Sequence, residues 1–217
     1  MLYLLMPKII HIALYIIYAY FFGLMLQIFL QYIPASSSAS FLMIKQTEVT
    51  NLPAYLPVFY VHVYTSIFCL LAGFTQFSKY ILSKYKFVHR LAGLLYVAVI
   101  ILFAAPSGLY MAIHANGNVY TKISFIILSV LWFYFTLMAY VKARTKHFGS
   151  HRQMMLCSFA LTCSAITLRM WKVILAYLFH PSPMDLYNVI AWLGWVPNLI
   201  FVELYLHKII KFKFKNS

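Results

Sequence analysis

The chain has 217 residues, of which 64% are hydrophobic, 19% aromatic and 9% charged, far from the roughly 25% charged residues of soluble domains. It holds three acidic residues, Glu48, Asp185 and Glu203, so no sequence-adjacent carboxylate pair exists for acid–base chemistry or a Ca²⁺ or Mg²⁺ cage, which argues against hydrolases and phosphoryl-transfer enzymes. The formal net charge of +14 reads as membrane topology and not as a nucleic-acid footprint, and no nucleic-acid partner is expected.

Six segments reach the roughly 20 mainly apolar residues of a membrane span: 9–33, 56–78, 91–113, 120–141, 153–175 and 186–207. The expected fold is an all-α integral membrane protein, one transmembrane domain over 1–217 built as a bundle of about six helices. Lys8, the loop residues 79–90, the loop residues 142–152 and the tail carry 13 of the 17 Lys and Arg residues on one side, which predicts both termini in the cytoplasm. The basic tail KIIKFKFKNS is then a solvated flank. The first segment is too long and apolar for a signal peptide, and Pro34–Ser40 (PASSSAS) is read as a loop and not a cleavage site.

On the second segment His62, Ser66, Cys69, Gly73 and Gln76 recur at spacings of 4, 3, 4 and 3, a stripe that should face protein and not lipid. In the third, His89 and His114 are separated by 25 residues, about 37 Å of rise and close to a whole number of turns, with Pro106 between them as a potential kink. The fourth segment has no histidine. The fifth begins with Ser150 and Gln153 in capping-box spacing and carries the stripe His151, Met155, Ser158, Thr162, Ala165, Arg169. His151 and Arg169 share a face about 27 Å apart, and an arginine inside a span is a functional-site hypothesis by default. On the sixth, Glu203 and His207 stand at i, i+4 and are expected to pair. Cys69, Cys157 and Cys163 show no metal-binding spacing and read as small core residues.

Eight histidines against three acids draw attention to neutral imidazole, a ligand for haem iron, Cu or Zn. His147 and His180 lie in loops or at helix ends and read as solvated. His62, His89, His114 and His151 lie on protein-facing stripes and sort by height into an inner pair, His89 with His151, and an outer pair, His62 with His114. Each pair is a candidate haem or metal ligand set, with Arg90, Arg152 and Arg169 as candidate propionate partners. The alternatives are a structural hydrogen-bond network between helices and a metal or proton pathway.

The segments VHVYTSIFCLLAGFTQF (61–77), HRLAGLLYV (89–97), SGLYMAIHANG (107–117) and SHRQMMLCSFALTCSAITLRMW (150–171) resemble, in order and spacing, the bacterial membrane-protein family catalogued as domain of unknown function 2306. The resemblance covers about residues 56–175 and implies a membrane fold without an established activity, in a bacterial plasma or inner membrane. Its motif positions fall on His62, Gln76, His89, Arg90, Gly93, His114, His151, Arg152 and Arg169. The arrangement is also similar to six-helix di-haem b-type cytochromes, from which it departs because the fourth segment supplies no ligand and the third would supply two. The functional expectation is a b-type haem-binding electron-transfer protein, at most a membrane oxidoreductase, with the bilayer and an anionic small molecule or redox partner as its contacts. The alternatives are a transporter or channel for a small anion or metal, which no pair of interrupted segments in matched positions supports, and a non-catalytic membrane scaffold.

Overall fold

A computed structural model describes residues 8–215, with side chains described for all of these except 8–11, 79 and 208–215. Lys8, Lys79 and the tail lysines of the charge count therefore lie outside the described side chains. Among the described residues the chain is helical throughout, with no strand. The first span is α1 (Lys8–Leu30), followed by a 3₁₀ turn at Ser40–Ile44 and the short α2 (Gln46–Asn51). The second span is α3 (Tyr55–Gln76), and a surface turn α4 (Lys79–Lys84), capped by the Ser78 hydroxyl, leads to α5 (Lys86–Val99). A π segment (Ile100–Ala104) joins α5 to α6 (Ala105–Ile113), and α7 (Val119–Arg144) forms the fourth span from an Asn118 N-cap. The fifth is α8 (Phe148–Thr162) plus α9 (Ser164–Phe179), and the sixth is α10 (Pro183–Leu193) plus α11 (Val196–Lys215). Five helical stretches are long and apolar enough to cross a bilayer, and the bent α8–α9 pair makes a sixth.

The core is α3, α5–α6, α7 and α8: α7 packs against α6 and α8, while α3 packs against α5 and α6. Lipid offers apolar side chains the same environment as a protein interior, so close packing and polar contacts hold such helices together. The interface accordingly uses small residues, with Cys69, Ala72, Ala104, Ala105 and Ala139 buried around Tyr96, Trp132 and Trp195. Hydroxyls pin it. Tyr96 of α5 meets Ser158 and Thr162 of α8, both at 2.8 Å, Thr136 of α7 meets Ser158 at 2.7 Å, and the Trp132 indole donates to Thr162 at 3.0 Å. The outward faces are apolar, as at Phe68, Leu102 and Val173, as expected of lipid-facing surface.

Three expectations change in the folded chain. The π segment lies between His89 and His114 and interrupts the regular α-helical period from which their shared face is expected. The capping box at Ser150–Gln153 does not form, because α8 starts earlier, at Phe148, and the N-cap residue His147 caps no backbone N–H, its Nδ1 lying 3.0 Å from Thr145 Oγ1 instead. The fifth and sixth spans are both interrupted, at Cys163 with a 40° bend and at Gly194–Trp195. Pro197 explains the second break, since it has no N–H for the Leu193 carbonyl. The two breaks meet: the Thr167 hydroxyl donates to the Gly194 carbonyl, and a Cβ on Gly194 would sit 2.9 Å from Leu168 Cβ.

Candidate functional site

The basic end of the bundle holds the inner histidine pair. His89 is the fourth residue of α5 and His151 the fourth of α8, so both rings stand at the positive end of a helix dipole, which disfavours imidazolium. The two rings lie within electrostatic reach of each other. His151 Nδ1 is 2.8 Å from the Ala139 carbonyl of α7. A carbonyl only accepts, so Nδ1 carries the proton and Nε2 keeps its lone pair. This support of one ring nitrogen by a carbonyl is the usual outer-shell arrangement of a ligating histidine.

His89 differs. Its Nδ1 is buried and, among the described residues, is the one buried side-chain N or O atom without a hydrogen-bond partner. The Thr75 backbone lies beside the ring without completing a bond of normal geometry. Above it, Gln76 Nε2 donates to the His89 carbonyl at 3.1 Å. The same carboxamide occupies the space over Gly93, where a Cβ would come within 2.9 Å of Gln76 Oε1. Arg90 and Arg152 follow the two histidines in sequence and are both exposed.

The outer pair is organised differently. His62 Nδ1 is 3.0 Å from the Ala104 carbonyl and 3.2 Å from Ser107 Oγ, at the π segment. Pro106 cannot donate to the preceding turn, and beside it the Ser107 hydroxyl donates to the Phe103 and Ala104 carbonyls while His62 Nδ1 meets the Ala104 carbonyl. Gly108 leaves room for the ring: a Cβ there would sit 3.1 Å from His62 Cε1. His114 caps α6 at the far end, with its ring against Tyr110 and Tyr55 at centroid distances of 5.0 and 6.2 Å. Tyr55 and His62 are seven residues apart on α3, about 10 Å of rise, so His62 and His114 stand at different depths with separate partners.

Arg169 lies within electrostatic reach of His62 and of Tyr32. Its guanidinium donates to the Ala165 carbonyl of its own helix at 2.6 Å. No acid among the described residues pairs with it: Asp185 accepts from the Ser182 hydroxyl at 2.7 Å and Glu48 from Lys45 at 2.6 Å. The Lys45–Glu48 contact is the one ion pair among the described residues, so the expected Glu203–His207 pair does not form, and Glu203 instead receives the Cys157 thiol at 3.7 Å.

Lys45, 1% exposed, also donates to the His114 carbonyl and lies 5.9 Å over the Tyr55 ring. Burial alone would raise the Glu48 carboxyl, but the Lys45 ammonium bonded to it holds it below the usual value near 4.5. The sequence reading missed this latch, and also Trp132 and Thr136 on the helix without a histidine. The polar groups of Ser129, Trp132 and Thr136, spaced three and four residues apart on α7, were the available signal.

No curated protein and no solved structure gives a match to the chain. Residues 59–206, about two thirds of the chain and extending past the expected 56–175 core into the sixth span, match the family model described as Predicted membrane protein (DUF2306), and the chain belongs to that family.

Proposed function

We propose that this multi-pass membrane protein is a b-type haem-binding electron-transfer protein with a single haem at its basic end, between His89 and His151. The observation that carries the reading is the state of these two rings. They stand on first turns within electrostatic reach of each other, one with Nε2 left free by its Ala139 bond and the other with a buried Nδ1 unsatisfied by the chain. Two neutral imidazoles fit the donor set of a low-spin haem, which would supply one-electron exchange when bound. Arg90 and Arg152 carry positive charge for propionates. His62 and His114, at different depths, are outside this ligand set. Arg169 and Lys172 would attract an anionic reductant from the far side, and the 13 to 4 charge asymmetry supports cytoplasmic termini in a cell membrane.

The test is the visible spectrum of protein purified in detergent after expression with haem available, before and after dithionite. A sharp reduced α band in wild type, absent in both His89→Ala and His151→Ala, is expected. A folded, colourless wild type overturns the reading.

One observation favours a second reading, transport of a small anion: two helix breaks meet, and Arg169 lies six residues beyond the first. Anion flux in proteoliposomes that Arg169→Ala abolishes would support it.

A further inference from the structure

Where the two broken spans meet, Asn198 of α11 bridges them. Its Nδ2 lies 3.1 Å from the Ala160 carbonyl of α8, 3.0 Å from Thr167 Oγ1 of α9 and 3.4 Å from the Gly194 carbonyl. Two of these three are carbonyls and only accept, so the amide nitrogen must face them and Oδ1 must point the other way. Oδ1 accepts no hydrogen bond from any described residue, and it is not sealed inside the protein.

Asn198 borders a cavity of about 420 Å³ between α9 and α11. Beside Asn198 and Thr167, the walls are apolar, with Met170, Trp171, Phe201 and Val202 the largest groups. Phe201 is 72% exposed on the outward face, so the cavity opens towards lipid. Asn198 lines this otherwise mostly apolar pocket, and its Oδ1 is the acceptor left without a partner, so a ligand there would be selected by shape and by a single hydrogen bond. The free atom is an acceptor, which selects a donor. Two aromatic walls, Trp171 and Phe201, favour a ring.

We propose that this cavity binds a lipid-dissolved phenol, with its ring between Trp171 and Phe201 and its hydroxyl donating to Asn198 Oδ1. A bare acyl chain fills the walls but leaves Oδ1 unpaired, and a ketone or ether presents an acceptor to an acceptor. The site lies on α9 and α11, and the proposal does not depend on haem binding.

The test uses the full chain in lipid nanodiscs and a bromine-labelled alkylphenol, whose heavy atom quenches nearby tryptophan fluorescence, with its methyl ether as the matched control. Saturable quenching by the phenol is expected, with Trp171→Phe removing the quenched component. The ether should bind about tenfold more weakly or worse, because it leaves the acceptor unpaired. Asn198→Leu should reduce the phenol to the affinity of the ether. If that variant fails to fold, the comparison of phenol and ether on wild type decides alone. Equal, non-saturating quenching by both probes would show partition into the bilayer and overturn the proposal, as would quenching unaffected by Trp171→Phe.

Discussion

The two ends of the bundle treat buried polar groups in opposite ways. At the far end Lys45 is almost fully enclosed and saturated: it meets a carboxylate, a backbone carbonyl and an aromatic face, and it ties the loop before α2 to the end of α6. At the basic end His89 is half-buried, and its one buried ring nitrogen is unmatched. Burial of a polar group is favourable only when its bonds are replaced, and an unmatched one costs about 1–3 kcal/mol. The saturated end therefore reads as architecture, and the unsaturated end as a place held open for something the chain does not itself supply.

Removing a partner at the saturated end should produce the largest loss. Lys45→Met leaves the Glu48 carboxylate and the His114 carbonyl without their donor, and should lower unfolding stability in detergent by about 2–3 kcal/mol. Thermal denaturation followed by circular dichroism measures it, and an unchanged midpoint would deny the latch any structural role. A smaller effect is expected midway between the ends. Tyr96→Phe removes the hydroxyl shared by Ser158 and Thr162 and should cost about 1–2 kcal/mol, read in the same assay.

The pH response should be smaller still and confined to the far end. The Glu48 carboxyl is held low in the folded protein, so its contribution is fully present above the ordinary value near 4.5 and is lost as pH falls through the folded value. The difference in melting temperature between wild type and Glu48→Gln should shrink on acidification through that range. A difference constant with pH would remove the ion pair as its cause.

At the basic end the sign should reverse. His89→Leu takes away an unmatched nitrogen, so the cofactor-free protein should hold its melting temperature or gain up to about 1 kcal/mol. A loss as large as that of Lys45→Met would make His89 structural and end the contrast between the two ends.

Much of this contrast was legible in the residues. The stripe His62, Ser66, Cys69, Gly73, Gln76 predicted which face of α3 meets protein, because a period of 3.6 sorts polar from lipid-facing positions before any tertiary contact exists. Cys69 and Gly73 are buried on that stripe, while Val61, Phe68 and Leu71 face outward. The pairing of His89 with His151 at the basic end also followed from sequence. The π segment did not, since Pro106 announces a disturbance but not where the extra backbone is accommodated. Lys45 was counted only as a charge in an outer loop; its partner, the His114 carbonyl, lies 69 residues away.

Sequence by itself determined that this is a membrane-spanning helical protein, how many apolar runs it has and which faces of α3 and α8 turn inward. Composition and periodicity are local properties, and the bilayer permits few structures that satisfy the backbone. Only the tertiary structure decided that the fifth span breaks at Cys163 beside the break at Gly194, that Asn198 joins them, and that His89 is unmatched while Lys45 is not. Those outcomes depend on which groups from distant segments arrive at the same point, and hydrogen bonds act over about 3 Å in directions that no spacing along the chain encodes.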